Sequence, residues 1–178
     1  MIFLGQVIFI REKNIEMSKI NFFTIGVYGY TEEEFFKIIK ENNVDTFCDV
    51  RRRRAVRGSK YSFVNSKKLQ RKLSELDINY IHFLELSPSN EIRNKQKEDD
   101  KTKDISKRQR QFLSEVFISA YNSEVIEKFD FHSFILKLEA IGANNVLLFC
   151  VERNPLACHR SLVTKYLSEK YSFLIKDL

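Results

Sequence analysis

Between an apolar run and an amphipathic one, Leu147 to Leu162 reads LLFCVERNPLACHRSL and gathers two cysteines, a glutamate, a histidine and two arginines. Pro155 suits the opening turn of a helix, which places Cys158 in that first turn beside His159 and Arg160. Unpaired backbone N–H groups and the helix dipole favour negative charge there. A thiol in that setting ionises readily and becomes a nucleophile or a redox group. The plainer alternative is a buried structural cysteine, the common fate of the residue. Cys150 lies within the apolar run and reads as a small core residue.

Two carboxylates stand at comparable points, Asp49 after VDTFC and Glu152 after LLFCV. Each closes a predicted strand, where a carboxylate beside arginines stays ionised and suits acid–base work. A structural ion pair, Asp49 with Arg51 or Arg160, is the competing role. A metal site would have to use Cys150, Cys158 and His159, but the spacing C-x7-C-H fits no common zinc framework. Neither a metal nor a cofactor is therefore expected. The GVYG turn is too short for a phosphate-cradling glycine loop. His82 alternates within a strand as a core histidine would, and His132 has no evident partner.

Charge is local. Ten basic residues and no acidic one fall between Arg51 and Lys72, exceeding the net +6 of the whole chain, so the remainder is acidic by four. A patch of this kind suits phosphate or another polyanion, and Tyr61 and Phe63 interleave it with aromatic rings. Such runs also occur as ordinary solvated surface. Arg51 and Arg53, nearest the strand end, are the candidate ligands of a small anion.

The elements that must position these residues alternate. FFTIGV (22–27), VDTFCDV (44–50), INYIHFLEL (78–86) and NVLLFCV (145–151) read as strands, with FLIKDL (173–178) as a fifth. Thr31 and Glu34 form a capping box before a helical face of Phe35, Phe36, Ile38 and Ile39. Ser66 opens a helix carrying Leu69, Leu73 and Leu76. Residues 87–110 are polar and mixed in charge, and read as a mobile insertion or lid with a helix starting near its end. A long helical region then runs over about 106–141, broken near Asp130, with Gly142 just past its end. The pattern predicts a three-layer α/β domain with a mainly parallel sheet of about four or five strands and helices on both faces. Ligands of such sheets bind at the carboxyl ends of the strands, which gathers Gly26, Tyr28, Asp49, Arg51, Arg53, Glu85, Glu152, Cys158, His159 and Arg160.

A chain of 178 residues with 43% hydrophobic residues, sixteen Phe and no Trp fits one globular domain with a Phe-packed core. Residues 17–178 are assigned to it and 1–16 to a peripheral extension, since MIFLGQVIFI lacks the basic flank and cleavage site of a secretory signal. That stretch reads as an extra strand or, if translation begins at Met17, as a peripheral extension. No segment suits a membrane span. Three cysteines, an odd number, point to reduced thiols in a cytoplasmic protein. Nothing in the pattern specifies an oligomeric state.

Four motifs in order carry a family resemblance: TIGVYG, DVR at Asp49 to Arg51, YIHFLEL at Tyr80 to Leu86, and CVERNPLACHR at Cys150 to Arg160. They resemble the family catalogued as domain of unknown function 488, over about Phe22 to Tyr171. The resemblance implies a compact α/β domain and a site in this region, without a settled activity. Many members carry His-Ser-Asn after the Thr-Ile-Gly turn, where this chain has Tyr28, Gly29 and Tyr30, so chemistry relying on that histidine is not expected here. Two functions compete. One is an enzyme acting on a phosphate-bearing substrate, nucleotide or nucleic acid, through Cys158 with Asp49, Glu152, His159 and Arg160. The other is a non-catalytic nucleic-acid-binding module using the Arg51–Lys72 patch, with structural cysteines.

Overall fold

Alternation along the most apolar strand sets the layers: Val146, Leu148 and Cys150 point to one side of the sheet, Leu147 and Phe149 to the other. A computed structural model describes residues 20–106 and 109–178. The expected 1–16 extension, its possible strand and Met17 lie outside them. Five parallel strands form one sheet: β1 (Asn21–Gly26), β2 (Thr46–Asp49), β3 (Asn79–His82), β4 (Asn145–Cys150) and β5 (Ile175–Asp177), ordered β3-β2-β4-β1-β5. Helices α1 (Glu32–Glu41) and α2 (Ser66–Ser74) cover one face; α3 (Asn90–Thr102), α4 (Glu115–Tyr121), α5 (Phe131–Ala140) and α6 (Arg160–Tyr171) cover the other. This is the three-layer α/β arrangement expected. No helix among the described residues is long and apolar enough to cross a membrane.

Local signals account for most boundaries. The capping box before α1 is formed, with Thr31 Oγ1 accepting from Glu34 N at 3.2 Å and Glu34 Oε2 accepting from Thr31 N at 2.8 Å. Gly142 takes φ +71° just past α5, where its N–H donates to Glu139 O, a left-handed stop that favours glycine. The break at Asp130 is the N-cap of α5, its carboxylate accepting from Ser133 N at 2.9 Å.

Three expectations change. The INYIHFLEL strand ends at His82, and Leu84–Leu86 tightens into a 3₁₀ turn that seals Leu86 in the core. The helical region over 106–141 starts only at Glu115 and includes a π-helical turn at Asn122–Ile126. Most consequential, 87–110 holds a thirteen-residue helix, α3, packed on α4. Its buried face is Ile92, Gln96 and Asp100, at i, i+4 and i+8. Two of those three are polar, so apolar periodicity does not announce the helix. Gln96 accepts from Ser114 N at 2.9 Å and donates to Asp100 at 2.7 Å, satisfying the buried groups.

The outgoing chains locate the site. Those leaving β1 and β2 pass to α1 and α2 on one face, while that leaving β4, which lies between them, passes to α6 on the other. Diverging loops open a crevice at the carboxyl end of β4.

Candidate functional site

On the α1/α2 face of that crevice, Asp49 is wholly buried and fully engaged. Oδ1 accepts from Arg51 Nε at 2.8 Å and from Arg51 N at 3.1 Å. Oδ2 accepts from Arg51 Nη2 at 2.7 Å and from Tyr80 Oη at 2.8 Å. Arg51 also donates to Val64 O at 3.0 Å and lies 4.5 Å above the Phe149 ring. The DVR motif thus folds back on itself: two residues of separation let the guanidinium fork close on the carboxylate just past the strand end. Burial and the Asp49 charge raise the Tyr80 hydroxyl to about 12, keeping it a donor.

On the opposite face the CVERNPLACHR segment forms a second centre. Pro155–Ala157 is a 3₁₀ turn and α6 begins only at Arg160, so Cys158 precedes the helix in extended backbone, with φ −137° and ψ 141°. The first-turn placement expected from Pro155 does not hold: the proline opens the short 3₁₀ turn instead. That turn carries Cys158 and His159 back over Cys150. Nε2 of His159 is 3.0 Å from the Val50 carbonyl, which can only accept, so Nε2 holds a proton. Nδ1 therefore faces the sulfurs, 3.9 Å from Cys150 Sγ and 3.8 Å from Cys158 Sγ. The two Sγ atoms and an imidazole nitrogen all lie within 4.8 Å of one another.

Ionisation in this cluster is uneven. Burial opposes the Cys158 thiolate, but the Cys150 S–H, the Arg160 guanidinium and His159 outweigh it and hold the thiol well below its usual range. Cys150 moves the other way, because it donates to Cys158 and is desolvated. Burial pulls the His159 imidazolium down, yet the Cys158 charge and hydrogen bond and the Val50 carbonyl leave it raised. By contrast, burial pushes Cys48 far up, as for an inert core thiol.

Arg160 is committed to architecture. Only 1% exposed, it donates to Thr24 Oγ1 at 3.1 Å, Glu152 O at 2.6 Å and Arg153 O at 2.9 Å. Thr24 in turn donates to Asp177, tying β5 to the same node. The Glu152 carbonyl passes so close to β1 that a Cβ on Gly26 would lie 1.7 Å from it, which is why glycine is needed there. The Glu152 carboxylate lies 3.5 Å from Cys150 Sγ through Oε2 and 3.6 Å from Arg110 Nη2 through Oε1.

Both centres border a cleft of about 580 Å³. Cys150, His159 and Glu152 form part of its wall, as do Tyr28, Arg51 and Arg53, whereas Cys158 does not line it. Arg52, Arg57, Arg93, Lys97 and Arg110 add further cations. Arg110 pairs with Asp100 at 2.9 Å, but Arg52, Arg53, Arg57, Arg93 and Lys97 have no ion-pair partner among the described residues. Desolvation and the nearby Arg53 and Arg52 charges depress Arg93. Glu85 is not brought to this cleft. It lines a different cavity of about 540 Å³ with His82, Lys128 and Lys137.

Sequence reasoning sets Cys150 aside as a core residue and rejects its grouping with Cys158 and His159 on spacing, and it misses Arg93, Lys97 and Arg110 as cleft residues. The i, i+4 pair Arg93 and Lys97, following the Ser89 cap, is the signal that could have found the latter.

A family model described as domain of unknown function DUF488 matches residues 31–167, and the chain belongs to that family. No curated protein and no solved structure matches it.

Proposed function

We propose that this DUF488 protein is an enzyme that acts on a phosphate-bearing substrate held in the arginine-lined cleft, with the Cys150–Cys158–His159 cluster as its reacting centre. The observation that carries this reading is the convergence of unpaired cations on a cleft whose wall includes Cys150 and His159. Asp100 and Glu152 also line the cleft, but cations that outnumber them and form no ion pair among the described residues cost free energy, which an anion recovers. Two buried guanidinium nitrogens around the cleft, Arg51 Nη1 and Arg110 Nε, also have no hydrogen-bond partner among the described residues. Asp49 and Arg160 serve as positioning residues on this reading, because their polar atoms are spent on the scaffold.

The test is equilibrium binding of inorganic phosphate, nucleoside monophosphates and oligonucleotides of increasing length at two salt concentrations. Phosphate or mononucleotide binding should weaken about tenfold or more in Arg53→Ala and Arg93→Ala, the scale of a lost charge-assisted hydrogen bond. Saturating phosphate should also slow alkylation of Cys150, the thiol bordering the cleft. Affinity that climbs with oligonucleotide length, with a salt slope of about −0.7 per phosphate contacted and no effect on the thiol, would favour the non-catalytic nucleic-acid-binding module. No anion binding at low salt would sink both.

A further inference from the structure

The geometry points to a divalent-cation site of the zinc class at Cys150, Cys158 and His159, with a fourth coordination position towards the arginine-lined cleft. This deepens the reading above and rests on it only for the use made of the ion. The three ligand atoms already converge. Zinc bonds of about 2.3 Å to sulfur and 2.0–2.1 Å to nitrogen at tetrahedral angles separate S and N by about 3.5 Å. The observed separations, 3.8 and 3.9 Å, exceed that by a few tenths of an ångström, within reach of small side-chain rotations. All three residues are more than nine-tenths buried, at 5%, 2% and 7% exposure.

The surroundings fit as well. The bond from Nε2 to Val50 O fixes the imidazole so that Nδ1 is the coordinating atom, the usual outer support of a metal-bound histidine. Charge also closes: two thiolates, the Glu152 carboxylate, the Arg160 guanidinium and one divalent ion sum to zero. Sulfur-rich ligation selects zinc over calcium or magnesium, which take oxygen. Three protein ligands rather than four is the pattern of a working site, where water or a substrate oxygen completes the shell. Cys150 and His159 are the two ligands that border the cleft, and the Glu152 carboxylate stands beside Cys150 to orient whatever enters.

The experiment is titration of reduced full-length protein with Co²⁺, read by absorption. The expected result is one ion per chain, with the intense d–d bands of tetrahedral cobalt and a near-ultraviolet sulfur-to-metal band, both abolished by equimolar Zn²⁺. Cys150→Ser, Cys158→Ser and His159→Asn should each weaken binding about 100-fold or more, beyond the roughly 10–100-fold typical of losing an outer-shell partner. Cys48→Ala, removing the third thiol, should leave the spectrum unchanged. Wild-type protein that is folded by circular dichroism, with its thiols reduced, and binds neither ion at micromolar concentration would overturn the site whatever the variants do. So would a cobalt spectrum lacking the sulfur band. Phosphate binding in a protein that takes no metal would remove this inference and leave the anion reading standing. Metal binding without anion binding would do the reverse.

Discussion

The two faces of the crevice use similar polar residues to opposite ends. On the α1/α2 face, Asp49, Arg51 and Tyr80 close a circuit in which each carboxylate oxygen has two donors. On the other face, Cys150, Cys158 and His159 point their ligand atoms at one another, with Val50 O on the histidine's far side and the Glu152 carboxylate 3.5 Å from Cys150 Sγ. The first arrangement is nearly finished: charge and packing on Phe149 are matched within the chain, and Arg51 Nη1 is left without a hydrogen-bond partner among the described residues. The second concentrates electron-pair donors and leaves their mutual interactions long and weak. Motif residues alone do not mark a working site. What distinguishes the two is whether the fold itself consumes the bonding capacity it assembles.

The comparison breaks most visibly at Asp49. Asp49→Ala strands a buried guanidinium, and removal of one partner of a buried pair costs about 3–5 kcal/mol. Urea denaturation should show a loss of that size, with anion affinity in the remaining folded protein little changed. A variant of wild-type stability that no longer binds phosphate would move Asp49 from scaffold to site.

Tyr80→Phe should cost less, about 1.5–3 kcal/mol for one hydrogen bond to a charged acceptor that keeps its other partners. It also carries a pH signature. Because the folded hydroxyl titrates near 12 rather than 10, the native state holds the proton where the unfolded state releases it. Its contribution is complete below pH 10 and is lost as pH rises towards 12. The wild type should therefore lose stability over that window more steeply than Tyr80→Phe. Parallel curves would show that Tyr80 is not held by Asp49.

The smallest effect on stability is expected at Arg93. Burial and the Arg53 and Arg52 charges outweigh the pull of the Glu152 carboxylate on its guanidinium, which forms no ion pair among the described residues, so Arg93→Ala should change stability by no more than about 0.5 kcal/mol. The sign should be neutral or stabilising, with anion affinity falling. A clear loss of stability by calorimetry would mean that Arg93 belongs to the scaffold like Arg51.

Much of this was legible in the residue order. Thr31 with Glu34, and Gly142 past a helical run, mark their boundaries because the bonds they make are local. The β-strands announce themselves by short apolar runs, and their alternation with helices implies the parallel sheet. The rule that ligands gather at strand carboxyl ends groups Asp49, Glu152 and His159 in one region from residue order alone. The α3 helix escaped because its buried face is Gln96 and Asp100, whose hydrogen bonds to Ser114 and Arg110 exist only after distant segments meet. Glu85 was misplaced because the 3₁₀ turn at Leu84–Leu86 swings it to another cavity.

The sequence by itself determined the secondary elements, the parallel α/β class and the cationic character of the loop after β2, all of which follow from local periodicity, capping and charge. Tertiary structure alone decided which side chains are spent and which remain available. Cys150 faces α3–α6 rather than α1/α2 because β4 lies between β1 and β2 with its outgoing chain on the opposite side from theirs. The 3₁₀ turn then returns Cys158 and His159 over it. No linear spacing encodes that return, since C-x7-C-H becomes a three-atom cluster only when one turn and one distant carbonyl, Val50 O, hold the imidazole in place.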